Sequence, residues 1–393
     1  MAGLWKLRFD GVRIFSDGLA AVKQGDKWGY IDKSGREMVE AQYDDAGGFV
    51  KGMAVVGLGG NWGLIDKRGQ ELVAVAYEYR PPALKEAPFY DGLAVVKQGR
   101  YYGFIDKFGR EVIPLQYLDA SDFSEGLAGV LSTDGWGFVD KNGRVVIEPQ
   151  YENRQSQSVR FSEGLALIEL GGKYGYIDKT GREVVEPVYD HAFSFTEGVA
   201  AVRVGFKWGC IDKTGAVIVE PRYDTIWAVS GGLARVNRDG YYGFIEKNGR
   251  EMIVSRYEYA DDFREGLAAL KNRGQWGFID ARGQEVIPFQ YDDARYFSGG
   301  LAAVMREDKW GYIDKNGREV VPLQFDDVKF FSDGLAAVMR DGKWGYVDKT
   351  GREVAPAIYD NTFGFAEGLG AVKCEGQWGF IDVRGEPTSW SLG

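Results

Sequence analysis

An aromatic residue followed directly by glycine recurs eleven times along this chain: Trp28-Gly29, Trp62-Gly63, Tyr102-Gly103, Trp136-Gly137, Tyr174-Gly175, Trp208-Gly209, Tyr242-Gly243, Trp276-Gly277, Trp310-Gly311, Trp344-Gly345 and Trp378-Gly379. Eight of the ten intervals between these aromatics are 34 residues, the exceptions being 40 (Trp62 to Tyr102) and 38 (Trp136 to Tyr174). A fixed period of this size marks a repeat architecture, in which each unit packs mainly on its neighbours. The regularity overrides the two or three domains that 393 residues would otherwise suggest. Residues 1–393 therefore read as one repeat domain of about eleven units.

A period of 34 also suits paired helices, but the pattern inside the unit is not helical. In FSDGLAAVMRDGKWGYVDKTGREVAPAIYD, Phe331 to Asp360, apolar residues form short runs cut by glycine and do not recur at i, i+3, i+4. Glycine at this density would cost a helix about 1 kcal/mol at each position. The runs predict three antiparallel strands: strand a as in Gly334 to Val338, strand b as in Lys343 to Asp348, and strand c as in Arg318 to Phe325. The short polar loop Arg340 to Lys343 joins a to b as a hairpin. Strand b reaches c through Asp-Lys-x-Gly, as in Asp32 to Gly35 and Asp348 to Gly351. There the Asp side chain caps the turn and Gly supplies a positive φ.

The glycine after each aromatic sits in mid-strand, where it weakens a sheet unless something needs the space. An aromatic from the neighbouring unit is the expected occupant, and the small Ala20, Ala54 and Ala94 of strand a read the same way. At the N-terminus Phe9-Asp10 stands six residues before Phe15, as Tyr189 stands before Phe195, so residues 4–10 resemble a strand c without its a and b. The unit is thus expected to be c-a-b, with an N-terminal cap strand in 1–14 and a degenerate tail, 386–393. The expected architecture is all-β, an open superhelical solenoid-like array of three-stranded units. The alternative is a closed, propeller-like ring in which the N-terminal strand c completes the last unit.

These residues resemble the WG-repeat (KWG-repeat) family of bacteria, whose hallmark is Trp-Gly followed by Ile-Asp-Lys-x-Gly. The match spans residues 4–385; Tyr102, Tyr174 and Tyr242 replace Trp, and Leu64 stands where an aromatic is usual. The resemblance implies a β-repeat scaffold and carries no catalytic activity with it. It is also similar to the aromatic hairpin repeats of choline-binding and toxin-binding modules.

Chemistry-bearing residues are sparse. The acids of the b-to-c turns, from Asp32 to Asp382 with Glu246 among them, read as turn caps, because the Gly-Gly-x-Gly-x-Asp nonapeptides of calcium-binding β-rolls are absent and a Lys stands beside most of them. His191 is the one histidine, and Cys210 and Cys374 lie in different repeats with no metal or redox spacing. No phosphate-binding or dinucleotide fingerprint appears. These observations predict a non-enzyme without cofactor or metal, and make a small-molecule ligand an unfavoured expectation. A net charge of −10 and a pI near 5.0 argue against nucleic acid or an anionic membrane as partner. With no apolar run of signal-peptide or membrane length, a cytoplasmic location is expected.

What breaks the repetition points to binding. Two insertions, 78–88 and 152–160, fall between strand c and the next strand a. Loops on a rigid scaffold commonly carry specificity, so Tyr79, Arg80, Pro81, Pro82, Lys85, Asn153, Arg154, Gln155 and Arg160 are the candidate partner-binding residues. The expected function is a non-catalytic scaffold for a protein partner, a toxin-immunity or regulatory pairing being one version. A carbohydrate- or cell-wall-binding module is the alternative, and open rather than buried Trp rings would favour it.

Overall fold

The computed structural model describes residues 9–78, 89–152 and 159–388. The chain divides into two compact units, Met1–Pro88 with Gln290–Gly393, and Phe89–Phe289. The described residues of both are built from antiparallel sheets, eleven in the chain, nine of four strands and two of three.

In the first unit, the first sheet runs Gly11–Val12, Leu19–Gln24, Lys27–Asp32 and Glu37–Tyr43, each strand beside the next in chain order. Strands a, b and c are therefore where the sequence placed them. Two points differ. A two-residue strand precedes strand a, so the repeat is four-stranded. Strand c pairs with the strand b before it (Trp28 opposite Tyr43), so the sheet is short strand-a-b-c and not c-a-b. The short strand escaped notice because two residues carry no periodicity. The second unit follows the same scheme, as in His191–Ala192, Val199–Val204, Lys207–Asp212 and Val217–Tyr223.

The turns behave as their residues require. The a-to-b link of the second repeat is the two-residue pair Gly59-Gly60, both at positive φ (61° and 84°), the twist that suits a tight hairpin. In the b-to-c turn Asp32 Oδ1 accepts from the amides of Ser34 (2.9 Å) and Arg36 (3.0 Å), while Gly35 takes φ 78°.

The mid-strand glycine has a different occupant from the one expected. Pairing passes from Trp28–Tyr43 to Tyr30–Val39, so three residues of strand c oppose Gly29 alone and their backbone arches over it. A Cβ on Gly29 would lie 2.5 Å from the Val39 carbonyl and 2.7 Å from the Ala41 nitrogen. Strand c of the same sheet, not an aromatic of the next, fills the space. Strand c carries exposed Glu and Pro at its edge, such as Glu37, Glu40, Pro114 and Pro322, which block pairing with further strands.

Neighbouring sheets are held by the second aromatic of strand b. Tyr30 meets Phe49 of the next repeat edge to face at 4.8 Å, and its hydroxyl donates to the Gly47 carbonyl. Tyr312 with Phe331 and, in the second unit, Tyr176 with Phe195 repeat the arrangement. Such a pair adds about 0.5–1.5 kcal/mol beyond area burial. A polar clasp accompanies it: Asp17 accepts from the Gly52 amide and pairs with Lys67 at 2.9 Å. The turn lysine thus reaches back to the acid of the preceding repeat.

The open array is overturned in the first unit, where the two chain ends meet. Phe9, Phe15 and Ala20 share one core with Leu369, Trp378 and Phe380, and Phe15 packs on Phe380 at 5.1 Å. Glu367 clasps the Gly18 amide and Lys33 as its counterparts do within the series. Phe9 pairs with Trp378 in the register of Tyr43 with Trp28. The array has no open end there: Phe9 of the N-terminal chain stands on the last sheet in the place that ends strand c in the first, as the propeller-like alternative has it. Nor is it a solenoid, since the ladders stop within each repeat's sheet. Closure follows from non-local packing that a uniform repeat leaves undetermined.

Candidate functional site

Of the nine insertion residues singled out from sequence, Tyr79, Arg80, Pro81, Pro82, Lys85, Asn153, Arg154 and Gln155 lie outside the described residues. Arg160 is described and exposed beside Asp122, whose carboxyl is pushed up by burial, with Arg160 opposing the shift.

The candidate catalytic groups are occupied structurally. Burial pushes the Cys210 thiol up to about 12, which removes it as a nucleophile near neutrality. His191 stacks on Tyr174 at 5.3 Å and meets Trp208 at 5.4 Å; burial, with Arg203 nearby, lowers its pKa. The turn acids act as caps: the Thr180 hydroxyl foremost holds Asp178 down at about 2. Among the described residues no three His, Cys, Asp or Glu gather closely enough to hold a metal ion.

The repeated Trp rings are not open shelves. Trp62, Trp136, Trp208, Trp310 and Trp378 are buried, and the residue following the short strand covers the ring in several repeats. In the first unit Arg13 lies over Trp28, Arg295 over Trp310 (4.5 Å) and Lys329 over Trp344 (4.4 Å), while Phe363 stacks on Trp378 at 4.7 Å. In the second unit Phe193 stacks on Trp208 at 4.9 Å. The covering cations are themselves paired, Arg13 to Asp45 at 2.9 Å and Arg295 to Asp327 at 3.0 Å.

One place in the first unit departs from this covering. The second repeat carries Gly47-Gly48 where the first carries Arg13-Ile14 and the last Phe363-Gly364, and beside it opens a groove of about 720 Å³ lined by Val12, Arg13, Ile14, Ser16, Trp28, Gly48, Val50 and Phe363. Its size falls within the usual range for ligand sites. The wall is mainly apolar, with Ile14 44% and Phe363 42% exposed. The Ser16 hydroxyl is spent on the Phe49 carbonyl. Arg13 Nε is buried, and among the described residues it has no acceptor. Nearby in the series, Tyr296 and Phe330 stack at 4.5 Å with Phe330 37% exposed. Sequence reasoning passed over this site, and its signal was there: Gly47-Gly48 leaves the linker after the short strand of the second repeat without side chains.

Comparison with solved structures gives distant likenesses, three of which follow. A eukaryotic initiation factor matches at 12% identity and TM-score 0.43, covering 77% of this chain and 95% of its own. BamB from Moraxella catarrhalis matches at 13% and 0.32, covering 81% and 90%. Dihydro-heme d1 dehydrogenase NirN matches at 18% and 0.32, covering 70% and 74%. No curated protein matches the chain. The model of the WG containing repeat matches eleven times, beginning with residues 6–28 and 28–62 and ending with 310–344 and 344–378, and its boundaries fall on the aromatic that opens strand b. The chain belongs to the WG containing repeat family.

Proposed function

We propose that this protein is a non-catalytic, cytoplasmic scaffold that binds a protein partner through the groove beside Gly48. The observation that carries the reading is the groove itself: exposed Ile14 and Phe363, half-buried Trp28 and Val50, and Arg13 in its wall. An apolar side chain of a partner would fill the hollow beside the Arg13 guanidinium. Binding sites of proteins combine just such an apolar centre with a few orienting polar groups. What favours a protein over a carbohydrate is the cover on the Trp rings, which leaves few flat aromatic faces for a sugar.

The test uses a displayed peptide library selected on the wild-type protein, then measured on Gly48→Leu and Phe363→Asp. Gly48 has open space, since a Cβ would stand 3.5 Å from Ser16, so Leu plugs the groove at little cost to the fold. Selected peptides should carry an aromatic or branched aliphatic anchor and bind both variants at least about tenfold more weakly, a loss of about 1.4 kcal/mol. Peptides held equally well by Gly48→Leu would remove the groove from the function.

A further inference from the structure

In the second unit, three consecutive repeats end their a-to-b hairpins in apolar side chains. The strand pairs are Leu165–Leu170 with Lys173–Asp178, Val199–Val204 with Lys207–Asp212, and Leu233–Arg238 with Tyr241–Glu246. At their tips Leu170, Val204 and Tyr241 are exposed, and Phe206 is 94% exposed. Hairpin tips of the first unit are polar in the same places, as in Arg306-Glu307-Asp308-Lys309 and Arg340-Asp341-Gly342-Lys343. The turns themselves do not call for the apolar groups. A tight hairpin needs only residues that accept positive φ, which Gly171-Gly172 and Asp239-Gly240 supply.

More aromatic surface lies at this end of the same sheets, beside the rings that open strand b. Phe193 is exposed on its stack with Trp208, and exposed Tyr259 stands between Tyr242 and Trp276, 5.4 Å from each. The charges are balanced here. Asp190, at the end of one strand c, accepts from Lys173 at 2.5 Å and from the Gly205 amide of the next hairpin at 2.7 Å. Asp224 holds Lys207 and the Asp239 amide in the same way, both at 2.6 Å. Residues 170–173, 188–190, 204–207, 222–224, 238–241 and 256–258 hold five Lys or Arg against four Asp or Glu, a net charge of +1 on a chain of −10. Asp178, Asp212 and Glu163 lie at the far end of these sheets, where Lys213 pairs with Glu163, a strand length of about 20 Å away. The acidity of the whole chain is therefore not the charge of this end.

We infer that the hairpin end of the fifth to seventh repeats docks on a phospholipid surface. Phe206 and Val204 enter the boundary between headgroups and acyl chains, Tyr241 and Tyr259 rest at headgroup level, and exposed Arg222 and Arg256 meet the phosphates. Apolar tips with aromatic and cationic neighbours are the composition that an interface of this kind selects. A shaped protein partner calls instead for apolar walls that face one another, as beside Gly48. Here the side chains stand singly on separate hairpins, and a fluid surface takes each where it stands. The inference does not depend on the groove, whose occupant would be carried to the membrane with the rest of the chain.

Co-sedimentation of the full chain with vesicles of phosphatidylcholine and phosphatidylglycerol tests it. The parent should sediment with the vesicles, and Phe206→Asp should bind at least about tenfold more weakly with an unaltered melting point. Phe108, 62% exposed in a b-to-c turn of the same unit, gives the matched control, and Phe108→Asp should bind as the parent does. A parent that stays in the supernatant, a Phe206→Asp protein that binds fully, or an equal loss in Phe108→Asp overturns the inference. Sedimentation velocity without lipid separates the rival occupant. A concentration-dependent dimer that Phe206→Asp abolishes, in a protein that ignores vesicles, would give these tips to a second copy of the chain and not to a membrane.

Discussion

Replacing Gly311 by alanine tests the account of the repeated glycine most directly. The added Cβ would lie 2.5 Å from the Val321 carbonyl and 2.8 Å from the Leu323 nitrogen, where ordinary contact begins at 3.4 Å. The backbone of strand c must therefore retreat by 3.4 − 2.5 = 0.9 Å. It is pinned on both sides by the Trp310–Phe325 and Tyr312–Val321 pairs, so the retreat breaks ladder hydrogen bonds. Gly311 has no positive φ, so backbone strain adds nothing and the whole effect is this collision. Overpacking typically costs 1–3 kcal/mol, and a clash with pinned backbone belongs at the upper end, about 3. At about 2.1 cal/mol/K per residue, a 393-residue chain melting as one would lose about 4 °C. If a single 34-residue repeat melts independently, the same cost lowers its own midpoint by tens of degrees, visible as a separate early transition. Scanning calorimetry on Gly311→Ala, with Gly48→Ala as the open-space control, reads both. A Gly311→Ala protein melting within about one degree of the parent would refute the arch over the glycine.

The Lys33–Glu367 clasp joins the first repeat to the last at 2.9 Å with both side chains well exposed, so a double-mutant cycle of Lys33→Ala and Glu367→Gln should give under about 1 kcal/mol, falling further in high salt. A coupling above that range would mean that the ends are joined mainly by charge. His191 has a folded pKa below its ordinary 6.5 because burial disfavours the imidazolium, so the unfolded chain binds the proton more readily. Stability is then full above pH 6.5 and declines as pH falls below it. His191→Leu should flatten the midpoint between pH 7 and 5.5, and an unaltered slope would place its cause elsewhere. The turn acid Asp178, held at about 2, adds stability that is full above the ordinary carboxylate value of 3.8 and is lost as pH falls from there towards 2. Asp178→Asn should lose part of that acid-side step in a pH titration of the melting point.

Much of the candidate surface was not legible in the chain because it depends on missing side chains. Gly47-Gly48 is one glycine pair in a chain of 56 glycines, and the neighbouring Trp28, Ile14 and Phe363 turn that gap into a groove. The insertion loops drew attention because they break the period, but length alone says nothing about which side chains converge.

The sequence by itself determined the eleven repeats, the three longer strands and both hairpin turns. Each of these rests on alternation, on the Asp cap or on glycine at positive φ, all settled within a few residues. The tertiary structure decided which strands share a sheet, what lies over Gly29 and how the ends meet. Those outcomes turn on pairings such as Trp28–Tyr43 and Phe9–Trp378, and a uniform period is compatible with more than one such pairing. Phe9-Asp10 hinted at the answer by its spacing, yet the choice between a free cap strand and one that completes the last sheet belongs to packing, where Phe15 finds Phe380.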